Sequence, residues 1–337
     1  MSEKVLNLGI IGAGRIGRLH AENIVSCYRN VRLKSVSDLY YENLQDWAKS
    51  LGIENLTGNY EDILNDPEID AVLVCSPTDT HARISIEAAR AGKHIFCEKP
   101  VDMDPNRIKE VLRQVEQAGV IFQVGFNRRF DKNFRRAYEM IREGKVGDIH
   151  VIRITSRDPA PPTPEYIRAS GGIFMDMTIH DFDMMRYLSG SEVAEVYATG
   201  AAMIDKNIAE LGDIDTAAVV LKFKNNAIGI IDNSRKAVYG YDQRIEVFGS
   251  KGCVTVSNET DSLAVLSNEE GVWSEKPKYF FLERYKESFI IEIGEFIDSI
   301  LKGKKPPVGG VDGLNSVLIA MAAKKSYLTR QPVKVEL

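Results

Sequence analysis

The sequence predicts an α/β protein built from two domains. The chain has 337 residues, and a single hydrophobic core usually stops growing at about 250–300 residues. Through the first third, short apolar runs alternate with segments of helical length, which is typical of βαβ units and a parallel sheet. Beyond about residue 145, strand patterns follow one another directly, which favours a large, open, mostly antiparallel sheet. We therefore expect a first domain over residues 1–125 and a second over 126–337.

The first domain contains five apolar runs that we interpret as strands, and helix-like segments separate them. The runs are VLNLGIIG (5–12), VRLKSVSD (31–38), IDAVLVCSP (69–77), KHIFCEKP (93–100) and VIFQVGFN (120–127). Runs that are apolar along nearly their whole length are typical of parallel strands covered on both faces. Gly52 is placed to end the second helix as a C-cap.

The second domain begins with the strand pattern DIHVIRITSRDP, followed by a proline-rich loop and an apolar segment over residues 171–185. Further strands are expected near 192–203, 214–223, 227–235, 243–249 and 252–257. Two helices are expected to close the chain, near 283–302 and 312–329. We expect helices of the same domain to cover one face of this sheet. The other face, assigned here to Val219, Leu221 and Phe223, would be a large apolar patch, so we expect a homodimer or homotetramer built through it.

Composition and charge exclude several classes of partner. The net charge of -5 gives no electrostatic reason to bind nucleic acid or an anionic membrane. No apolar run is long enough to span a bilayer, and the N-terminus runs into a strand without a signal-peptide pattern. The four cysteines are scattered and the five histidines have no metal-ligand spacing, so we expect reduced thiols, no bound metal and a cytoplasmic location.

A glycine-rich turn follows the first strand and opens the first helix. It reads Gly12, Ala13, Gly14, Arg15, Ile16, Gly17. In this position the first glycine allows a tight turn, the second lets a pyrophosphate approach, and the third allows close packing of helix and strand. The free N–H groups of the helix N-terminus attract phosphate. The turn therefore predicts a dinucleotide-binding Rossmann domain, whereas the alternative is a plain strand–helix turn with packing glycines.

An acidic residue at the end of the second strand completes this pattern. Asp38 follows Gly17 by 21 residues and is placed to accept hydrogen bonds from the adenosine ribose. The next residues are Leu39 and Tyr40, so no basic side chain follows to neutralise a 2′-phosphate. NAD is therefore expected rather than NADP. Taken alone, Asp38 is equally compatible with a helix N-cap.

Polar residues also follow the next strand, in VCSPTDTH. Ligands of doubly wound sheets lie at the carboxyl ends of the strands, so Ser76, Thr78 and His81 are expected to line the cofactor cleft. Thr78 or Asp79 is equally suited to cap the helix that follows.

Lys99 lies before Pro100 at the end of another strand, and the proline holds the residue before it away from helical angles. Most lysines are surface residues. A lysine at the carboxyl edge of the sheet, however, can hydrogen-bond the hydroxyl or carbonyl oxygen of a substrate that undergoes hydride transfer.

The segment GGIFMDMTIHDFDMM places acids and a histidine inside an apolar run. Asp176 and His180 are four residues apart and would share one face of a helix, with Asp183 continuing that face. The alternative is an Asp–His pair on a surface helix, but the neighbours are apolar. An aspartate can orient an imidazole, and the imidazole can exchange a proton with a substrate hydroxyl.

Together, the glycine-rich turn, Asp38, the triplet Glu98-Lys99-Pro100 and DMTIHDFDMMRYL resemble the glucose–fructose oxidoreductase/inositol dehydrogenase/MocA family over essentially the whole chain. GGIFMDMTIHDFD and YGYD are most similar to the bacterial inositol 2-dehydrogenases. The resemblance implies a Rossmann domain, a second α/β domain used in oligomers, and a catalytic group formed by Lys99, Asp176 and His180.

The resemblance also implies a role for each residue of the site. His180 is expected to be the general base oriented by Asp176, with Lys99 stabilising the oxygen, although either His180 or Lys99 can take the proton first. Glu98, Lys99 and Asn127 are expected to complete the cofactor contacts. The expected polyol contacts are Lys99, Asn127, Arg128, Asp158, Asp176, His180, Asp183 and Tyr239.

The leading hypothesis is NAD-dependent oxidation of myo-inositol to 2-keto-myo-inositol, as a step of inositol catabolism. The alternatives are another substrate, namely scyllo-inositol, a further inositol isomer or a pyranose sugar. A cofactor-sensing regulator without turnover would use the same fold, but it needs none of Lys99, Asp176 and His180.

Overall fold

The computed structural model describes residues 5–336 and divides into two compact units. The first unit comprises Met1–Asn127 and Glu287–Leu314. The second comprises Arg128–Lys286 and Asn315–Leu337.

The first unit therefore contains a late segment of the chain, which differs from a continuous second domain over 126–337. The reason lies in the helix that follows residue 285. Its residues Ile293, Phe296 and Ile297 are buried in the apolar core formed by the strands and first helix of the first unit. An amphipathic pattern predicts that such a helix has a buried face, but it does not say which core that face joins.

The first unit is built on a parallel six-stranded sheet with the strand order β3-β2-β1-β4-β5-β6. Its strands are β1 (Leu6–Ile11), β2 (Val31–Ser37), β3 (Asn55–Thr57), β4 (Ala71–Val74), β5 (His94–Cys97) and β6 (Phe122–Val124). This is the doubly wound arrangement that the alternating pattern predicts.

Helices connect these strands, and their ends follow local sequence signals. The connecting helices are α1 (Arg15–Cys27), α2 (Gln45–Ser50), α3 (Glu61–Asn65), α4 (Thr78–Arg90) and α5 (Pro105–Ala118). The later helix α12 (Lys286–Lys302) connects no strands of this sheet but packs against its core. At α5, the side chain of Asp104 accepts a hydrogen bond from the backbone N–H of Asn106, and Gly119 ends the helix in the left-handed conformation.

The second unit contains a seven-stranded sheet with the order β12-β11-β7-β10-β9-β8-β15. The pair β7–β10 is parallel and the other pairs are antiparallel. Its strands are β7 (Ile149–Arg157), β8 (Val193–Ala201), β9 (Thr216–Phe223), β10 (Ile228–Ser234), β11 (Asp242–Gly249), β12 (Gly252–Val256) and β15 (Val333–Lys334). A separate hairpin pairs β13 (Val265–Asn268) with β14 (Gly271–Ser274).

The remaining helices are α6 (Lys132–Arg142), α7 (Pro164–Ala169), α8 (Ile173–Asp176), α9 (Thr178–Ser189), α10 (Lys206–Glu210), α11 (Phe281–Arg284) and α13 (Gly310–Thr329). The expected single helix over Asp176 and His180 is interrupted, because α8 ends at Asp176 and α9 begins at Thr178. Met177 between them keeps right-handed helical angles, so the two segments nearly continue one another.

The sequence-based assignment of the two sheet faces is wrong. Val219, Leu221 and Phe223 are buried within their own chain, so they form the covered face and not the free one. The other face exposes Tyr197 and Val220, which are paired across β8 and β9. Alternation in a strand separates two sets of side chains, but it does not say which set faces the helices when both are apolar.

None of the helices in the described part of the chain, residues 5–336, is both long and apolar enough to cross a membrane.

Candidate active site

The glycine-rich turn has a distinct steric reason for each of its three glycines. Gly12 has φ of 96°, and a Cβ there would lie 2.5 Å from the backbone nitrogen of Ser76. A Cβ on Gly17 would lie 1.9 Å from the carbonyl oxygen of Gly12. Gly14, the N-cap of α1, has no atom within 4 Å of its would-be Cβ. The first and third glycines are therefore required for packing, whereas the second leaves open space at a helix N-terminus.

Asp38 lies against this turn. Its Oδ2 accepts a hydrogen bond from the backbone N–H of Ala13 at 2.7 Å, and its Oδ1 accepts one from the N–H of Tyr40 at 2.8 Å. Leu39, beside it, is 83% exposed. The open space at Gly14, the N-terminus of α1 and a carboxylate at the end of β2 fit the phosphates and the ribose of a dinucleotide.

The polar residues after β4 differ in their burial: His81 is buried in the interior, whereas Ser76 and Thr78 are partly exposed. The hydroxyls of Ser76 and Thr80 lie 2.6 Å apart, and Thr78 is the first residue of α4. His81 is only 2% exposed, and its ring nitrogens lie 2.7 Å from the carbonyl oxygen of Ser76 and 2.8 Å from that of Pro100. The expectation that His81 lines the cleft is therefore not supported, because its ring links two backbone segments in the interior.

Lys99 is half-buried and lies two residues after the end of β5. Its neighbours Glu98 and Pro100 each contact a histidine. The carbonyl of Pro100, which follows a cis peptide bond, is one of the two oxygens at His81. Before Lys99, Glu98 turns its side chain toward His20, whose Nε2 lies 2.9 Å from Oε1. The Glu98 side chain thus contacts the interior of the first unit, whereas the family resemblance predicts that Glu98 contacts the cofactor.

In the second unit, Asp176 at the end of α8 has two identified partners. Its Oδ1 accepts a hydrogen bond from the hydroxyl of Tyr166 at 2.8 Å, and its Oδ2 accepts one from Nη1 of Arg235 at 3.0 Å. His180 lies near the start of α9 and is half-buried. Both expected catalytic side chains of this unit are thus accessible at the junction of two helices.

Asp158 belongs to the same group of charges. Nη1 of Arg235 lies 3.8 Å from its carboxylate. Burial raises the pKa of Asp158 to about 6, with Arg235 acting against this rise and Asp176 adding to it. Two carboxylates that share one guanidinium can hold and release a proton near neutral pH.

Two other acids of α9, Asp181 and Asp183, form buried ion pairs with arginines of the second unit. Asp183, 1% exposed, accepts two hydrogen bonds from the guanidinium of Arg129. Asp181 accepts one from Arg128, whose other nitrogen donates to the hydroxyl of Ser156 at 3.2 Å. The structure therefore does not support substrate contact by Arg128 or Asp183. Both side chains are buried in ion pairs that fix α9.

The last two sequence candidates also have partners within their own units. Asn127 is 4% exposed, and its amide donates to the hydroxyl of Ser288 at 3.5 Å. The Tyr239 hydroxyl donates to Asp242 at 2.6 Å and accepts from Arg157 at 3.1 Å. Tyr239 is 38% exposed and stays reachable, whereas Asn127 is buried in the folded chain.

The residues that hold Asp176 were not predicted from the sequence. Tyr166 follows the proline-rich loop and Arg235 follows β10, and neither carries a motif. Arg235 is 3% exposed with Asp158, Asp176 and Asp213 within 4.0 Å. An arginine directly after a strand that is rich in apolar residues is the one available signal, because a buried guanidinium needs carboxylates.

Two family models match this chain. One describes an oxidoreductase family with an NAD-binding Rossmann fold and covers residues 6–126. The other describes the GFO/IDH/MocA C-terminal domain and covers residues 134–255.

Similar proteins cover the chain almost completely. An uncharacterized oxidoreductase of Bacillus subtilis, YrbE, is 50% identical over 99% of this chain and 97% of its own length. The myo-inositol 2-dehydrogenase of Thermotoga maritima is 48% identical over 98% of this chain and 99% of its own. The crystal structure of scyllo-inositol dehydrogenase from Lactobacillus casei, with bound NAD(H) and scyllo-inositol, superimposes with a TM-score of 0.92 at 32% identity, covering 98% of this chain and 99% of that one. The chain belongs to the GFO/IDH/MocA family of NAD-binding oxidoreductases.

Proposed function

We propose that this protein oxidises a secondary hydroxyl of a cyclic polyol with NAD, and that its substrate is myo-inositol, which becomes 2-keto-myo-inositol. The observation that carries the proposal is its full-length similarity to the Thermotoga maritima protein of that name, at 48% identity. The Asp38 carboxylate, held 2.7 Å from the N–H of Ala13, supports NAD as the cofactor.

The first unit supplies the cofactor contacts. The backbone N–H groups at the N-terminus of α1, beside the open space at Gly14, would bind the pyrophosphate, and Asp38 would accept hydrogen bonds from the ribose. Ser76 and Thr78, after β4, lie at the same carboxyl edge of the sheet. NAD, when bound, supplies the acceptor for the hydride of the alcohol carbon.

The protein residues handle the hydroxyl proton. We assign His180 as the general base and Asp176 as the group that supports the charge of its imidazolium. The Lys99 ammonium would stabilise the oxygen as it loses its proton. Arg235 and Tyr166 bind both carboxylate oxygens of Asp176, so that carboxylate is fixed before any substrate arrives.

The test is a spectrophotometric screen for NADH production. The purified protein is mixed with NAD and, separately, with myo-inositol, scyllo-inositol, other inositol isomers and pyranose sugars. The highest kcat/KM is expected with myo-inositol. The similarity to the Lactobacillus casei scyllo-inositol dehydrogenase supports scyllo-inositol as the second candidate. Binding of NAD without NADH production from any polyol would support a cofactor sensor instead.

We further propose that the chain assembles as a dimer or tetramer through the free face of its seven-stranded sheet. That face exposes Tyr197, Val220, Ile228 and Phe248 by 39–47% each. Large exposed apolar side chains on one sheet face are unusual in a monomer. The four cysteines are free thiols, which supports the cytoplasmic location expected from sequence.

A further inference from the structure

Glu292, in α12, is a carboxyl group buried completely within the first unit. Its exposed fraction is 0%, and neither of its side-chain oxygens has a hydrogen-bond partner. Its Oε1 lies 4.0 Å from Nε2 of His20. One ligand-capable atom of each of His20, Glu98 and Glu292 lies within 4.8 Å of the others. A carboxyl without partners in the interior is costly when ionised, so this cluster requires an explanation.

Among the described residues, the neighbours of the cluster include two aromatic rings. The rings of Phe96 and Phe289 pack edge-on against the imidazole of His20, with centroids 5.2 and 5.9 Å away. Within residues 5–336, no lysine or arginine lies within ion-pair distance of Glu292. Two carboxylates this close together in an apolar site oppose each other's ionisation, which favours a proton on one of them.

Geometry decides which carboxyl holds it. Glu98 accepts the hydrogen bond of His20 and keeps 14% of its side chain exposed, whereas Glu292 has no exposure. The negative charge is therefore better solvated on Glu98. Burial first, and then the nearby Glu98, raise the pKa of Glu292 well above its ordinary value.

Two other titratable groups lie here, namely Tyr28 directly after α1 and Cys75 directly after β4. Burial, with smaller contributions from the acids nearby, raises the pKa of Tyr28 to about 12 and raises that of Cys75 well above its usual range. Both side chains are neutral near pH 7, so neither supplies a charge that would stabilise an ionised Glu292.

We propose that His20, Glu98 and Glu292 form a buried proton-holding cluster that positions Lys99, with Glu292 as a neutral acid and Glu98 as a carboxylate. The assignment of a role to Lys99 rests on the function proposed above. Glu98 and Glu292 are positioning residues in this scheme, because they act through the backbone that carries the lysine.

The contacts of Glu98 show how the cluster acts on its neighbour. The Glu98 carboxylate packs against Gly125, where a Cβ would lie 2.9 Å from Oε2. Its backbone N–H donates to the carbonyl of Val74 at 3.0 Å. Glu98, which precedes Lys99, is thus fixed through both its side chain and its backbone. Pro100, which follows Lys99, has its carbonyl oxygen 2.8 Å from Nδ1 of His81.

A divalent cation bound by the same three side chains is the competing explanation. A cation requires both carboxyl groups to be ionised, because carboxylates and not carboxylic acids are metal ligands. The two explanations therefore predict opposite protonation states of Glu292, and a spectroscopic measurement separates them.

The first experiment is infrared difference spectroscopy near pH 7 on the parent, on Glu292→Gln and on the control Glu287→Gln, an exposed position of the same helix. The carbonyl stretch of a protonated carboxyl is expected in the parent and the control and absent from Glu292→Gln. An unchanged carbonyl region in Glu292→Gln, or one equivalent of a divalent metal in the purified parent by elemental analysis, would overturn the proposal. This result does not depend on turnover.

The second experiment tests the positioning of Lys99 with a readout that also needs no turnover. The pH dependence of acetylation of Lys99 is followed by mass spectrometry in the parent, in Glu98→Gln and in Glu287→Gln. We expect a displaced profile in Glu98→Gln alone, together with a kcat for polyol oxidation that is lower by about 10- to 100-fold. A parent-like profile in folded Glu98→Gln would refute the positioning role. Displaced acetylation without polyol oxidation in any protein would instead refute the proposed function alone.

Discussion

The Asp38 carboxylate accepts a hydrogen bond from the backbone N–H of Ala13 at 2.7 Å, so the acid at the end of β2 lies against the turn that opens α1. The two residues are separated by a helix and a strand in the chain. Their contact places a negative charge where the ribose of a dinucleotide would lie and where a 2′-phosphate would be repelled.

Replacing Asp38 should therefore change both affinity and cofactor preference. In Asp38→Ala, we expect weaker NAD binding and a smaller preference for NAD over NADP, measured as kcat/KM with each cofactor. Asp46→Ala, an exposed acid of α2, is the control and should retain the preference of the parent. Equal kcat/KM for NAD and NADP in the parent would contradict the assignment of Asp38.

The glycines of the turn should separate ligand binding from folding. Gly14→Ala adds a methyl group to open space, so the protein should fold with a Tm near that of the parent but bind NAD more weakly. Gly17→Ala adds a methyl group 1.9 Å from the carbonyl oxygen of Gly12, so its Tm should fall. Thermal unfolding and NAD titration of both variants test this. Normal NAD affinity in Gly14→Ala would show that the space is not part of the site.

Glu292 should make the stability of the protein depend on pH. Its pKa in the folded chain is raised above the ordinary value of 4.5, so its favourable contribution is complete in acid and is lost as pH rises. Relative to Glu292→Gln, the free energy of unfolding of the parent should fall by about 1.4 kcal/mol for each pH unit above the ordinary carboxyl range, until the raised pKa is reached.

Urea unfolding of the two proteins at a series of pH values measures this difference. Glu287→Gln provides the control and should follow the parent at every pH. A Glu292→Gln protein that is less stable than the parent throughout, with no trend, would show that Glu292 is ionised in the folded chain.

The free face of the seven-stranded sheet should control the oligomeric state. Val220 lies on β9 and is 47% exposed. The substitution Val220→Glu would bury a charge at the proposed interface, so it should dissociate the assembly to monomers. Leu263→Glu, at a position that is 94% exposed, is the control. Light scattering measures the mass of all three proteins. A parent that is monomeric at micromolar concentration would rule out this interface.

Local patterns in the sequence predict the glycine-rich turn and most strands of the first unit, but not that this unit takes the helix α12 from later in the chain. The G-x-G-x-x-G turn and Asp38 depend on residue spacing around two strand ends, so the sequence predicts their contact without knowledge of distant packing. All five predicted strands of that region are present. The short strand β3 is absent from the prediction, because Asn55–Thr57 is too short to show a pattern.

The second unit was harder to predict, because long-range pairing decides its polar contacts. The sequence predicts Asp183 as a substrate contact, yet Arg129 pairs with it from more than 50 positions earlier in the chain, as Arg128 does with Asp181. The same applies to Arg235, which reaches Asp176 from β10. Hydrophobic periodicity carries no information about which buried charges meet.

The most direct test of the central claim is NADH formation from myo-inositol by the parent and by His180→Ala, with NAD affinity and Tm measured on the same preparations. The account predicts turnover in the parent. In His180→Ala it predicts a normal Tm, normal NAD binding and a kcat lower by about 10²- to 10⁴-fold, the usual contribution of a general base. Turnover near that of the parent in folded, NAD-binding His180→Ala would contradict the account.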